Sequence, residues 1–212
     1  MASASENTIL ATDYVPDPGE EDHSPQETMS DGGVSAADDQ LTQYQSIERC
    51  IPRFYVKAHL IDKNKLKEPP LSMLNKNLNN FLALSPTSHD MFDGRNVPGG
   101  EAFAIRYEAA HDDRPARVAL RVIPVDDDAS QYLAANLRGD FMSVRDSPPG
   151  FIVHVHVSDP ELFRVCITWK YNKTVKAWAE RSVGPSGANR IDDYNFDLIA
   201  ARVGGAHELL DE

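Results

Sequence analysis

Apolar and polar positions along this chain change period several times, and each change marks an element. The run "RFYVKAHLI" is rich in aromatic and β-branched residues and predicts a strand from Phe54 to Ile61. "DKNKLKEPPLSMLNKN" reads as a polar loop broken at Pro69-Pro70, and "FLALS" as a short second strand. "SPTSHDMFDG" carries the marks of a helix. Ser85 suits the N-cap, Pro86 the first helical position, where its missing N–H is not needed, and Gly94 the stop. The order is strand, loop, strand, helix, and the first strand can pair with the second across the loop.

Beyond Gly94 the chain alternates. Phe103, Ile105 and Tyr107 fall on one side of a strand, and Val118, Leu120 and Val122 on one side of the next. "HDDRP" between them is a turn, so the two form a hairpin. "ASQYLAANLRGDF" predicts a short helix. "GFIVHVHVS" predicts a strand with Phe151, Val153, Val155 and Val157 on one face and His154 and His156 on the other, exposed or facing a partner. "LFRVCITWKYN" fits two templates. It alternates like a strand, but it follows "SDPE", where Asp159 can cap and Pro160 can start a helix, and it leads into "KAWAER"; start and tail favour helix. "DDYNFDLIAARVGG" predicts a last helix, capped by Asp192 or Asp193 and stopped at Gly204. Trp169 and Trp178 are expected in the core. No internal repeat is present.

Composition narrows the class. The chain has 212 residues, 41% of them hydrophobic, which suits one domain with a tail. No apolar run approaches the roughly 18 residues that span a membrane. The start, "MASASENTIL", lacks the basic and apolar regions of a signal peptide. The expectation is an intracellular protein, nuclear or cytoplasmic, without membrane contact. Cys50 and Cys166 are far apart and form no CxxC pair, so they supply neither a Cys-based zinc site nor a disulfide framework. They are expected as buried free thiols.

Charge matters more by distribution than by its sum of -12. Residues 1–45 hold ten acidic residues and no Lys or Arg, and are poor in large apolar residues. Such a stretch cannot bury enough surface to offset the entropy of ordering, and is expected to be disordered. The sign then reverses. Between Ser46 and Leu82 seven basic residues stand against three acids. Lys57, Lys63, Lys65, Lys67 and Lys76 are the candidates for phosphate contact. The acidic tail could lie over this stretch as an internal competitor.

Three positions carry candidate chemistry: His59 in "KAHLI", Asn80 in "NNFLAL" and His89 in "SHDMFD". The first His leaves a strand, the Asn precedes the next strand, and the second His lies on the helix after it. A phosphodiester-cleaving site needs few parts: a His to take a proton from the attacking water, and a divalent metal to stabilise charge on the phosphate and the leaving oxygen. An Asn can hold the loop or orient the His, and a helix His can bind the metal.

"AHLI" followed by "NFLALSPTSHDMFDG" resembles the HNH endonuclease family, in its variant with an Ala-His-Ile-like first element and a closing His-x-x-Phe-Asp element. The likeness covers about forty residues, from near Cys50 to Gly94, and the last ninety match nothing in it. The resemblance implies a β-hairpin and helix clasping one divalent ion, Mg²⁺ or similar, in the ββα-metal arrangement. It implies His59 as general base, Asn80 as the orienting Asn, and His89 as a metal ligand. Asp93 would be a second ligand or a helix-end support. Many members place an acid just before the first His; here that position is Ala58, and Asp62, Asp90 or Asp93 would have to compensate. The usual Gly after the Asn is Phe81.

The expected architecture is α+β. An HNH-like ββα-metal core with further antiparallel strands and C-terminal helices spans 46–212, after a disordered acidic tail over 1–45. Two functions fit it: a metal-dependent endonuclease hydrolysing DNA phosphodiester bonds, or a binding or regulatory module that keeps the fold without cleaving.

Overall fold

The computed structural model describes residues 45–49, 55–67, 71–111, 114–143, 148–186 and 191–193, together with Ile199 and Arg202. The expected acidic tail lies outside the described residues except for Gln45, which is buried. Cys50, Asp112 and Asp113 of the predicted turn "HDDRP", and most of the predicted last helix also lie outside them; His111, Arg114 and Pro115 of that turn belong to strands. All described residues belong to one unit, 34–212.

Among the described residues the protein is mixed α and β, with two antiparallel sheets. Strand β1 (Val56–His59) pairs with β2 (Phe81–Leu84), His59 facing Phe81 across the ladder. The strand expected over Phe54–Ile61 is therefore shorter at its C-terminal end: Leu60 and Ile61 have left the ladder and are buried in the core. Helix α1 (Pro86–Asp93) follows β2 directly. Its caps are those the sequence predicts. The Ser85 side chain accepts from the Ser88 N–H, Pro86 opens the helix, and Gly94 closes it at φ +68°.

The second sheet has the order β3-β4-β6-β5, from β3 (Phe103–His111), β4 (Arg114–Pro124), β5 (Asp140–Met142) and β6 (Gly150–His156). The expected hairpin is β3 with β4. Phe103, Ile105, Val118, Leu120, Val122, Phe151, Val153 and Val155 are buried in one cluster, as their alternation required. His154 and His156 lie on the opposite, exposed face of β6. Helix α2 (Asp127–Asn136), capped by Asp126, connects β4 to β5.

Helix α3 (Pro160–Arg181) resolves the ambiguous segment as helix, with the Asp159 side chain accepting from the Leu162 N–H. The strand-like alternation inside it has a physical reason. The helix is buried on more than one face, so its sequence has no clean polar stripe. Leu162, Phe163, Val165, Cys166 and Ile167 join the main cluster, while Tyr171, Val175 and Trp178 pack with Ala104 and Ile123. Trp178 is fully buried and donates from Nε1 to the Glu101 carbonyl at 2.8 Å; Trp169 is partly buried against the main cluster. Burial pushes the Cys166 thiol up to about 12, so it behaves as an inert core residue.

The segment between β1 and β2 is more structured than a polar loop. It contains short 3-10 turns at Lys63–Lys65, Leu71–Lys76 and Leu78–Asn80, and it inserts Leu66 and Leu74 into the core. Residues 45–49 run beside the hairpin. Ser46 bridges Ala83 and Glu48 bridges Leu137, with Ile47 buried between them. No helix among the described residues is long and apolar enough to cross a membrane.

Candidate functional site

His59 ends β1, and the turn that follows is fixed from behind. Asn80 is completely buried; its Oδ1 accepts the Ile61 N–H at 2.9 Å and its Nδ2 donates to the Leu74 carbonyl at 3.4 Å. The Leu60 N–H adds a backbone bond to the Asn80 carbonyl at 2.9 Å. One side chain thus ties the exit of β1 to the entrance of β2. Asn80 does not line the cavity; its side chain holds the turn that follows His59. Its neighbour Asn79 ties the same turn to α3. Asn79 Oδ1 accepts the Asp159 N–H at 3.1 Å, and Nδ2 donates to Ser158 Oγ at 3.0 Å.

Helix α1 is held at both ends. Buried Glu48 accepts from the Ser85 N–H at 2.8 Å and from the hydroxyls of Ser85 (2.9 Å) and Ser88 (2.5 Å). A carboxylate there satisfies an orphan amide and complements the helix dipole. At the other end a Cβ on Gly94 would come within 2.8 Å of the Glu101 nitrogen, so only glycine fits that close approach. Phe92 stacks on Phe103 of β3, with ring centroids 5.6 Å apart.

The hairpin and α1 bring His59, His89 and Asp93 to one cavity of about 360 Å³. His89 and Asp93 lie one turn apart, with His89 Nε2 3.2 Å from Asp93 Oδ2. Asp93 also accepts from Lys170 Nζ at 2.7 Å on Oδ1, and Arg95 forms an ion pair with Oδ2 at 3.1 Å. Burial alone would raise the Asp93 carboxyl. The hydrogen bond from His89 and the ammonium of Lys170 outweigh it and hold the group well below the usual carboxylate range. His59 goes the opposite way for an imidazole. Burial, reinforced by Lys63, His89 and Lys57 against an opposing pull from Asp93, lowers it to about 4. His59 is therefore neutral at pH 7, the form in which it can accept a proton.

The other walls are basic. Lys57, Lys63, Arg95, Lys170 and Lys173 line the cavity against two carboxylates, Asp62 and Asp93. Lys173 Nζ lies 2.6 Å from Asp62 Oδ2. On the far side of His59 a second cavity of about 580 Å³ shares Lys57, His59 and Lys63, and adds Lys76, Leu78 and Phe81. Of the predicted phosphate-contacting residues, Lys57, Lys63 and Lys76 thus border these spaces. Lys65 and Lys67 are exposed but line neither. Of the acids named as compensating ligands, Asp62 and Asp93 reach the first cavity and Asp90 does not.

Lys170 and Lys173 come from α3 and Arg95 from beyond the motif. A sequence signal for Lys170 existed: a lysine within "CITWKYN", flanked by core residues, must have a partner if the segment is buried. Its side chain is 3% exposed, and Nζ lies 4.5 Å from the centroid of the Phe92 ring.

Among the described residues, no cluster of three or more His, Cys, Asp or Glu side chains is arranged to hold a metal ion. The donor pair on hand is His89 Nε2 with Asp93 Oδ2. These two atoms lie 3.2 Å apart facing each other, and Lys170 and Arg95 contact the same carboxylate.

Compared with family models, curated proteins and solved structures, the chain finds no match in any of the three.

Proposed function

We propose that this protein is a metal-dependent endonuclease of HNH type that hydrolyses phosphodiester bonds in DNA. The observation that carries the reading is that neutral His59 and the His89–Asp93 pair face a single cavity with basic walls. A strand–strand–helix unit holds them there, in the order in which the sequence resembles that family. Basic residues around the cavity favour an anion there.

In this reading His59 takes a proton from a water molecule. The water oxygen bonds to phosphorus as the bond to the leaving oxygen breaks, and solvent returns a proton to the leaving group. Asn80 keeps His59 aimed by fixing the turn behind it. Lys57 and Lys63 hold the non-bridging oxygens and the neighbouring phosphate. His89 and Asp93 would hold the divalent ion, whose part is to stabilise the charge that develops on the phosphate.

A second reading has its own observation. Both cavity carboxylates are already engaged by lysines, Asp93 by Lys170 and Asp62 by Lys173. A site kept in that state suits a module that binds nucleic acid without cutting. Plasmid nicking with Mg²⁺ or Mn²⁺, beside EDTA and the His59→Ala and His89→Ala variants, separates the two. Metal-dependent nicking lost in both variants supports the enzyme. Binding without nicking in the parent supports the module.

A further inference from the structure

We propose that the second cavity beside His59 is a nucleobase subsite, and that the strand this protein engages is unpaired at the nucleotide next to the phosphate held in the first cavity. This rests on reading the first cavity as a phosphodiester site, and names the class of nucleic acid it takes: single-stranded.

The two cavities differ in what they offer. Among the described residues, polar and charged side chains alone line the first, which is what a phosphate needs. The second is larger, about 580 Å³; its lining adds Leu78 and Phe81 and holds no carboxylate among the described residues. That volume falls in the roughly 300–1,000 Å³ range of small-ligand clefts, and apolar walls with a few polar groups suit a flat heterocycle. Tyr55 and Leu78 pack against Phe81 and Ala83, and the His59 ring meets Phe81 edge-on with centroids 4.5 Å apart. The wall is therefore fixed, and it carries an imidazole of the kind on which bases stack. Polar contact for a base edge comes from Asn75. Its Nδ2 donates to the Leu66 carbonyl at 3.2 Å, which holds the amide and leaves Oδ1 to accept from an exocyclic amine. His59 and Lys63 line both cavities, so groups bound in the two are neighbouring parts of one ligand, as a phosphate and its own base are. In a duplex that base is stacked on both faces and paired along its edge, and reaching the subsite means pulling it out of the helix. A single strand meets far less of that cost. Negative supercoiling favours local unpairing, so a plasmid remains a usable substrate.

The test is fluorescence anisotropy of the full chain in EDTA with three end-labelled DNA probes of equal length: a single strand of mixed sequence, its duplex, and an abasic strand that keeps every phosphate and lacks the bases. The single strand is expected to bind about tenfold or more tightly than the abasic strand, and more tightly than the duplex. Asn75→Ala and Leu78→Ala are each expected to weaken the single strand about threefold or more and to leave the abasic strand unchanged. Equal affinity for the single and abasic strands overturns the proposal, as does a duplex that binds tightest. Loss of equal size on both strands in folded variants overturns it too, because it would place those side chains at the phosphates. Should Leu78→Ala not fold, Asn75→Ala, at an exposed position, decides alone. Metal-dependent nicking with binding indifferent to the bases removes this proposal and leaves the nuclease reading. Base-dependent binding without nicking removes the hydrolase and supports the proposal on a binding module. No binding of any probe overturns the proposal as well.

Discussion

Asp93 Oδ1 and Lys170 Nζ meet at 2.7 Å across 77 residues of sequence, and this contact joins the last long helix to the end of α1. The pair is little exposed, 3% for the lysine side chain and 14% for the aspartate. Removing one partner of such a pair strands a buried charge, which costs more than the pair itself contributes. Lys170→Met is therefore expected to destabilise the fold by roughly 3 kcal/mol, at the low end for buried pairs because Asp93 keeps His89 and Arg95. Combining it with Asp93→Asn should restore part of the loss. Urea unfolding of the two single variants and the double variant measures this, and additive losses would show that the contact is not energetically coupled.

Asn80 makes a second prediction. Its side chain bonds Ile61 N and Leu74 O in a fully buried position. Asn80→Ala leaves a buried amide without its acceptor and a buried carbonyl short of a donor. The expected cost is about 2–3 kcal/mol. Because the turn after β1 is released, the loss of nicking should exceed what the unfolded fraction explains. A variant as stable and as active as the parent would contradict the positioning role.

His59 makes a prediction about pH. Its imidazole sits at about 4 in the folded protein against an ordinary 6.5, so folding favours the neutral form. Above pH 6.5 both states are neutral and the stability is whole. As pH falls from 6.5 towards 4, the unfolded chain takes up a proton that the folded chain refuses, and stability is lost across that window. Below it this group changes nothing further. Nuclear magnetic resonance of the His59 ring protons gives the midpoint directly. His59→Asn should flatten the loss of stability between pH 6.5 and 4. A measured midpoint at or above 6.5 would contradict the lowering that burial and the neighbouring Lys63 impose on the ring.

How far the site could be read in advance depends on the distance over which each contact is made. His59, Asn80 and His89 sit within one strand–strand–helix unit, and that unit was legible because its signals are local. Ser85, Pro86 and Gly94 mark the helix, and short apolar runs mark the strands. The 3-10 turns of the connecting segment were hidden, since Leu66 stands alone between lysines and the short run Leu71-Ser72-Met73-Leu74 follows a Pro-Pro break and is too short to show a period. Helix α3 was ambiguous because burial on several faces erases the polar stripe. Lys170 and Glu48 were out of reach of periodicity altogether. Each is a charged residue whose meaning comes from a partner far along the chain, Asp93 for one and Ser85 with Ser88 for the other.

Glu48 carries the last prediction. Its carboxylate accepts from the Ser85 N–H and from the Ser85 and Ser88 hydroxyls at the start of α1, while Asp93 lies at the helix's other end. Glu48→Ala removes the acceptor and leaves these donors buried or part-buried, which should cost about 2 kcal/mol and lower the melting temperature. Glu48→Gln keeps one acceptor oxygen and should lose about half as much. Glu48 supports the helix and does not face the cavity. At a temperature where Glu48→Gln is fully folded by circular dichroism, its metal-dependent nicking rate should equal the parent's. A slower rate in a folded variant would mean that the cap sets the aim of His89 as well as the stability of α1.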